Sequence, residues 1–139
     1  MKWFSRLTKI RANKKEYRGN RALGQKGEEI AARFLARRGY RILERNARTL
    51  LGEIDIVARK GAFIVFVEVK TRKSLRFGPP YLSVTHQKKL RLIRSARAYL
   101  STERFGKTGW RIDVISIELD PGNESLNKIE HFEDALEEY

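Results

Sequence analysis

The chain has 139 residues, 41% of them hydrophobic and 10% aromatic, which suits one folded domain with a real core and leaves no room for two. It contains no cysteine, so disulfides and thiolate zinc sites are excluded and a reducing compartment is allowed. Lys and Arg number 30 against 17 Asp and Glu, a net charge of +13 with a pI near 10.3, and that excess points to a polyanionic partner, nucleic acid before any other.

The charge is unevenly spread. Residues 112–139 hold one basic residue against nine acids, so the rest of the chain is a strong attractor for polyanions, and the acidic C-terminal stretch should face away from the ligand or shield part of the surface.

In chain order, residues 1–20 are basic and lack sustained periodicity, which reads as a mobile N-terminal arm ahead of a single domain over 21–139. The basic start has no apolar run long enough for a signal peptide, and nothing downstream could span a bilayer, so a soluble cytoplasmic protein with no membrane contact is expected. From Leu23 the positions Leu23, Gly27, Ile30, Ala31, Phe34 and Leu35 recur at helical spacing until Gly39 stops them, which predicts a first helix. "YRILERNA" then reads as a short strand and Gly52 to Lys60 as a second, closed by a turn at Lys60 and Gly61.

Phe63 to Thr71 reads as a third strand, apolar on both faces except at Glu68 and Lys70, and so central in the sheet. "SLRFGPPYLS" is a loop, because two prolines and a glycine cannot continue a ladder. A second helix is predicted from about Ser83 to Glu103, with Leu90, Ile93, Ala96 and Leu100 inward and Lys88, Lys89, Arg91, Arg94 and Arg97 mostly outward. "WRIDVISIEL" is a fourth strand stopped by the turn "DPGN", and "NKIEHFED" a short edge strand. The fold class is α/β, in the order αβββαβ with an extra β.

The third strand also carries the chemistry. Side chains two apart on a strand share a face, so Glu68 and Lys70 project together, opposite Val67 and Val69. A hairpin centred near residue 61 sets Asp55 opposite residue 67 or 68. Two carboxylates about 5 Å apart repel by roughly 3 kcal/mol at an effective dielectric of about 20, so such a cluster raises a pKa or recruits a cation. A divalent metal held by oxygen ligands can activate water and absorb charge on a phosphodiester, and Lys70 beside it could orient or deprotonate that water. The plainer alternative is an ion pair within the sheet, although buried pairs contribute little net stability.

With these elements in place, the run "GQKGEEIAARFLARRGYRILERNARTLLGEIDIVARKGAFIVFVEVKTRK", followed by "FGPPYLSVTHQKKLRLIRSARAYL" and "WRIDVISI", resembles the bacterial YraN family of small predicted endonucleases. That family is similar in its core to Holliday junction resolvases and to restriction endonucleases of the PD-(D/E)XK type. The resemblance covers about residues 22–119 and implies a restriction-endonuclease-like core, a mixed central sheet flanked by helices. It implies that Asp55 and Glu68 bind Mg²⁺ (or Mn²⁺), that Lys70 is the catalytic lysine, and that Glu28 reaches the metal from the first helix. The motif's proline is absent, Ile54 standing before Asp55 as in the "EID" version. A glutamate near a helix start is also favoured by the macrodipole alone.

Arg72 and Lys73 follow the catalytic strand where a DNA phosphate would pass, and Lys88 matches a family lysine that could touch a phosphate or simply be solvated. Glu53 could support Asp55 or pair with an arginine. Asp113 in "RIDV" imitates "EIDI" but lacks a Glu-x-Lys partner, and reads as a strand residue bonded to Arg111 or to a loop. His86 and His131 are isolated and read as structural; Tyr81, Phe77 and Trp110 could stack on bases, with core filling the default for Trp110. The expected function is a metal-dependent endonuclease acting on DNA, on branched or flap structures in repair or recombination, with a homodimer favoured if two symmetric strands are cut. The alternative is a non-catalytic nucleic-acid-binding module of a repair or replication complex.

Overall fold

The computed structural model describes residues 14–73, 85–102, 105 and 108–136, with side chains from Arg21 onward. Its elements are α1 (Lys14–Arg37), β1 (Arg41–Thr49), β2 (Gly52–Lys60), β3 (Phe63–Arg72), α2 (His86–Thr102), β4 (Gly109–Leu119) and β5 (Leu126–Phe132). The five strands form one sheet in the order β1-β2-β3-β4-β5. Only β3 and β4 are parallel; the other neighbours are antiparallel. Antiparallel neighbours need only tight turns, whereas a parallel pair needs a crossover, and α2 lies within that crossover. This is the mixed α/β sheet expected from the sequence, and it is consistent with a restriction-endonuclease-like core.

Period-2 alternation along β3 assigns the layers. Val65 and Val67 join Ala31, Leu35, Ile56, Ala58, Ile115 and Ile117 under α1, while Ile64 and Phe66 join Val57, Leu92, Ile93, Ala96, Tyr99 and Ile112 under α2. A strand buried on both faces must be apolar on both, which explains why β3 is the most hydrophobic run of the chain.

α1 starts at Lys14, inside the stretch read as an arm, because "KKEYRGNRA" is dominated by residues of good helix propensity; residues 1–13 lie outside the described residues. It ends at Gly39, whose φ of 86° and whose bonds Gly39 N–H to Ala36 C=O (3.2 Å) and Tyr40 N–H to Leu35 C=O (3.0 Å) close the helix through a left-handed residue. α2 starts at His86 rather than near Ser83. Thr85 caps it, its Oγ1 accepting from the Lys88 N–H at 3.2 Å and its C=O from the Lys89 N–H at 2.9 Å. The buried side of α2 is Leu92, Ile93, Ser95, Ala96 and Tyr99, with Leu90 and Leu100 only partly covered. The Pro/Gly loop over residues 74–83, with Phe77 and Tyr81, lies outside the described residues. No helix among them is long and apolar enough to cross a membrane.

Candidate functional site

The site forms where two paired strands part. The β2–β3 ladder runs from Lys60↔Phe63 to Ile56↔Val67 and stops there, while β3 stays paired to β4 through Arg72↔Glu118. Asp55 is the first β2 residue beyond the ladder. Its Oδ2 accepts the Val69 N–H at 2.8 Å, so a carboxylate replaces the strand partner that this backbone donor has lost.

Glu68 and Lys70 leave β3 on the α2 face, as period 2 requires. Glu68 is only 6% exposed, and its Oε1 lies 3.2 Å from Lys70 Nζ and 3.0 Å from Lys88 Nζ. Lys88 therefore turns inward from the first turn of α2. It belongs to the stripe Lys88, Leu92, Ser95 or Ala96, Tyr99, whose i, i+4, i+7 spacing was the signal for its direction; the predicted stripe through Leu90 and Ile93 was rotated away from it.

From the opposite layer α1 delivers Glu28. A Cβ on Gly27 would stand 1.7 Å from Thr71 Oγ1, so the helix backbone meets β3 at a distance only glycine permits. Glu28 there stands close enough to Asn46 and Asp55 for each to influence its charge. Asn46 sits on β1 with φ at 51°, a left-handed bend that asparagine tolerates.

The electrostatics follow from burial. Asp55 is pushed up to about 8, by loss of solvent first and then by the Glu68 charge. Burial also raises Glu28. Lys70 is pushed down to about 8 by burial, with Glu68 acting in the opposite sense and Lys88 adding to the fall. For Lys88 burial works against the charge, yet Glu68, Lys70 and Asp55 together outweigh it and hold the group above the ordinary lysine value. The site thus contains an amine able to lose its proton near neutral pH and a carboxyl able to keep one.

Oxygen donors of this kind suit a hard divalent cation. Among the described residues no group of three or more His, Cys, Asp or Glu is arranged to hold a metal ion. Mg²⁺ is ordinarily held by one or two carboxylates with water and substrate phosphate completing its shell, and Asp55 and Glu68 are the carboxylates of this site that could take that part.

The remaining candidates separate clearly. Lys73 pairs with Glu124 at 2.7 Å, and Lys26 with the same carboxylate at 3.5 Å, so a residue of the acidic C-terminal stretch does shield basic ones. Arg72 is half-buried at the end of β3, and Glu53 is exposed. Asp113 is bonded to Arg111 and to the Asp134 N–H, Trp110 packs against the core under α2, and His86 is exposed. His131 is not isolated: its Nε2 lies 2.7 Å from Asp113 Oδ2.

Fold and site together define a small α/β domain with a mixed five-stranded sheet whose central strands part around a buried carboxylate–lysine cluster. The chain belongs to the family described as "Uncharacterised protein family UPF0102", whose pattern it matches over residues 27–117. It is 46% identical over 121 residues to a UPF0102 protein of Trichlorobacter lovleyi, covering 86% of this chain and 94% of that one. It is 48% identical over 118 residues to one of Geobacter metallireducens, covering 85% and 94%, and 44% identical over 108 residues to one of Dictyoglomus turgidum, covering 78% and 92%. The matched span starts at Gly27 and takes in Glu28, Asp55, Glu68, Lys70 and Lys88.

Proposed function

We propose that this protein is a metal-dependent endonuclease that hydrolyses DNA phosphodiester bonds, with branched or flap structures as its substrates. The observation that carries this reading is Glu68, a carboxylate buried in a central strand between two lysines, with Asp55 at the adjacent end of a ladder that has stopped for it. Ion pairs at such positions give little net stability, so their presence asks for a use.

Asp55 and Glu68 would hold Mg²⁺ or Mn²⁺, with Glu28 reaching in from α1. When bound, the ion supplies charge for the phosphoryl oxygens and makes a water more acidic. Lys70, its proton loosened to near neutrality by burial, is suited to take a proton from the attacking water. Lys88 holds Glu68 in place and keeps a positive charge near the developing oxyanion. Arg72 and Lys73, leaving β3 at the same end, would meet the DNA backbone, and the net charge of +13 would make that binding steeply salt-dependent.

A second reading has its own observation. Lys70 and Lys88 already neutralise Glu68, as they would in a nucleic-acid-binding module without turnover. A panel of duplex, single strand, flap and four-way junction, with Mg²⁺ or Mn²⁺, separates the two. The nuclease reading expects cutting of at least one substrate, lowered by about 10²–10³-fold or more in Asp55→Asn and Lys70→Ala while binding persists. Binding to the panel with no cutting in either metal would leave the module.

A further inference from the structure

The turn between β1 and β2 carries Leu50, fully exposed at 100%, and Leu51 at 54%. Two adjacent leucines in water at a hairpin tip contribute nothing to the core. The tip is nevertheless rigidly built. Thr49 Oγ1 donates to the Gly52 C=O at 2.8 Å and accepts the Leu51 N–H at 3.1 Å. Gly52 has φ at 149°, and a Cβ there would stand 2.7 Å from Ser95 Oγ and 3.5 Å from Arg91 Cγ. The base of the hairpin therefore sits directly on α2, in a conformation that favours glycine.

Beside the tip lies a cavity of about 390 Å³ lined by Arg48, Thr49, Leu50, Ala98, Ser101 and Thr102. Arg48, in its lining, is exposed, and so is Arg91, which lies against the hairpin base at Gly52. Along β2 the tip stands four to five residues from Asp55, roughly 15 Å at a strand's rise, or about four to five nucleotide steps of 3.4 Å along one strand of a duplex.

We propose that the β1–β2 tip is an apolar wedge that enters a nucleic-acid stack at an unpaired or weakly paired position, the cavity next to it receiving the displaced base. The inference rests on the nucleic-acid reading of the site and names what that site would select. Leucine is among the side chains that proteins insert between base steps. Displacement costs least where pairing is already broken, so a wedge at this distance favours branch points over intact duplex. The flanking arginines suit a polyanion, and two leucines fall far short of the roughly 800 Å² per partner of a standard protein interface.

The test uses the full chain in EDTA, so that binding is read without cutting, and a flap carrying 2-aminopurine at its branch. The wild type should raise 2-aminopurine emission on binding. Leu50→Asp, and the double variant Leu50→Asp with Leu51→Asp, should abolish the rise and weaken binding about tenfold, the scale of one lost base contact. Leu50→Met should retain both, and Ala98→Leu, which narrows the cavity, should reduce the rise. All of these positions are exposed or half-buried, so thermal unfolding should hardly move in any variant.

Binding with unchanged emission in every protein overturns the wedge and leaves the nuclease reading standing. A leucine-dependent rise without cutting on restoring Mg²⁺ or Mn²⁺ supports the wedge and removes the nuclease. Absence of nucleic-acid binding removes both. If Leu50→Asp instead alters the sedimentation of the free protein and no base emission, the leucines cover a second protein chain and the wedge is wrong.

Discussion

Asp55 and Asp113 look alike in the sequence. Each follows an isoleucine in a strand, "EID" in β2 and "RID" in β4, and each ends up largely removed from water. Their surroundings are opposite. Asp113, fully buried, accepts Arg111 Nε at 3.0 Å and the Asp134 N–H at 2.9 Å, with His131 Nε2 at 2.7 Å. Burial would raise it, but His131, that N–H and Arg111 outweigh burial and hold it below the ordinary carboxylate range. Asp55 has one backbone donor and two acidic neighbours, and is pushed up to about 8. A buried acid with all its lone pairs answered holds the fold together; one left short of positive charge is available for a ligand.

The largest effect expected from this contrast is on stability. Asp113→Ala leaves Arg111 without its carboxylate and the Asp134 N–H without an acceptor, and should cost about 3–5 kcal/mol. Asp55→Asn keeps the volume and removes a charge that the site disfavours, so it should leave stability unchanged or raise it. Urea unfolding of both variants decides the point. An equal loss in the two would dissolve the distinction.

A smaller effect, on pH dependence, sharpens the same comparison. Folded Asp55 keeps its proton up to about pH 8, against about pH 4 unfolded. The folded state then binds more protons through that window, so the contribution of Asp55 to stability falls as pH rises from about 4 to 8. Asp113 has the opposite sign: its contribution is present above the unfolded value and is lost as pH falls through the lowered folded one. Urea midpoints across pH should therefore lose the neutral-side decline in Asp55→Asn and the acid-side decline in Asp113→Asn. If both substitutions flatten the same limb, the two sites share one network.

What the sequence made legible is what short-range pattern controls. The strand of "FIVFVEVKTR" and the pairing of Glu68 with Lys70 follow from period 2 alone, and the absence of a Glu-x-Lys partner was enough to set Asp113 apart from Asp55. The register of the β2–β3 hairpin ends at Ile56↔Val67, one step short of the opposition of Asp55 and residue 67 or 68 that the turn at residue 61 implied, and the Asp55 carboxylate instead accepts the Val69 N–H. Lys88 was less legible, because its direction depends on where α2 starts, and Thr85 caps it only after a Pro/Gly loop whose path no local rule specifies. The partners of Asp113 come from β5 and the turn after it, contacts set by tertiary packing. Leu50 and Leu51 belong to no local pattern that announces their exposure, which is set by where the hairpin tip falls in the fold.

The smallest effect concerns how α1 makes Asp55 different from Asp113. Glu28 reaches Asp55 because Gly27 lets the helix backbone approach Thr71, with a hypothetical Cβ 1.7 Å from Oγ1, 2.8 Å from Cβ and 3.0 Å from Cγ2. Alanine at 27 would gain up to about 1 kcal/mol in helix propensity, but it must push the helix off β3, at about 1–3 kcal/mol. The net result should be a modest loss, partly relieved in the double variant with Thr71→Ala, since shortening Thr71 removes Oγ1, the nearest atom, and Cγ2, but leaves its Cβ at 2.8 Å. Lifting α1 also withdraws a negative neighbour from Asp55, so the neutral-side decline should shift to lower pH, while the acid limb set by Asp113 stays where it was. A pH-dependent unfolding series on Gly27→Ala reads both limbs at once. Movement of the acid limb alone would show that the helix acts on the Asp113 cluster instead, through Phe34, whose ring meets His131 at 6.0 Å.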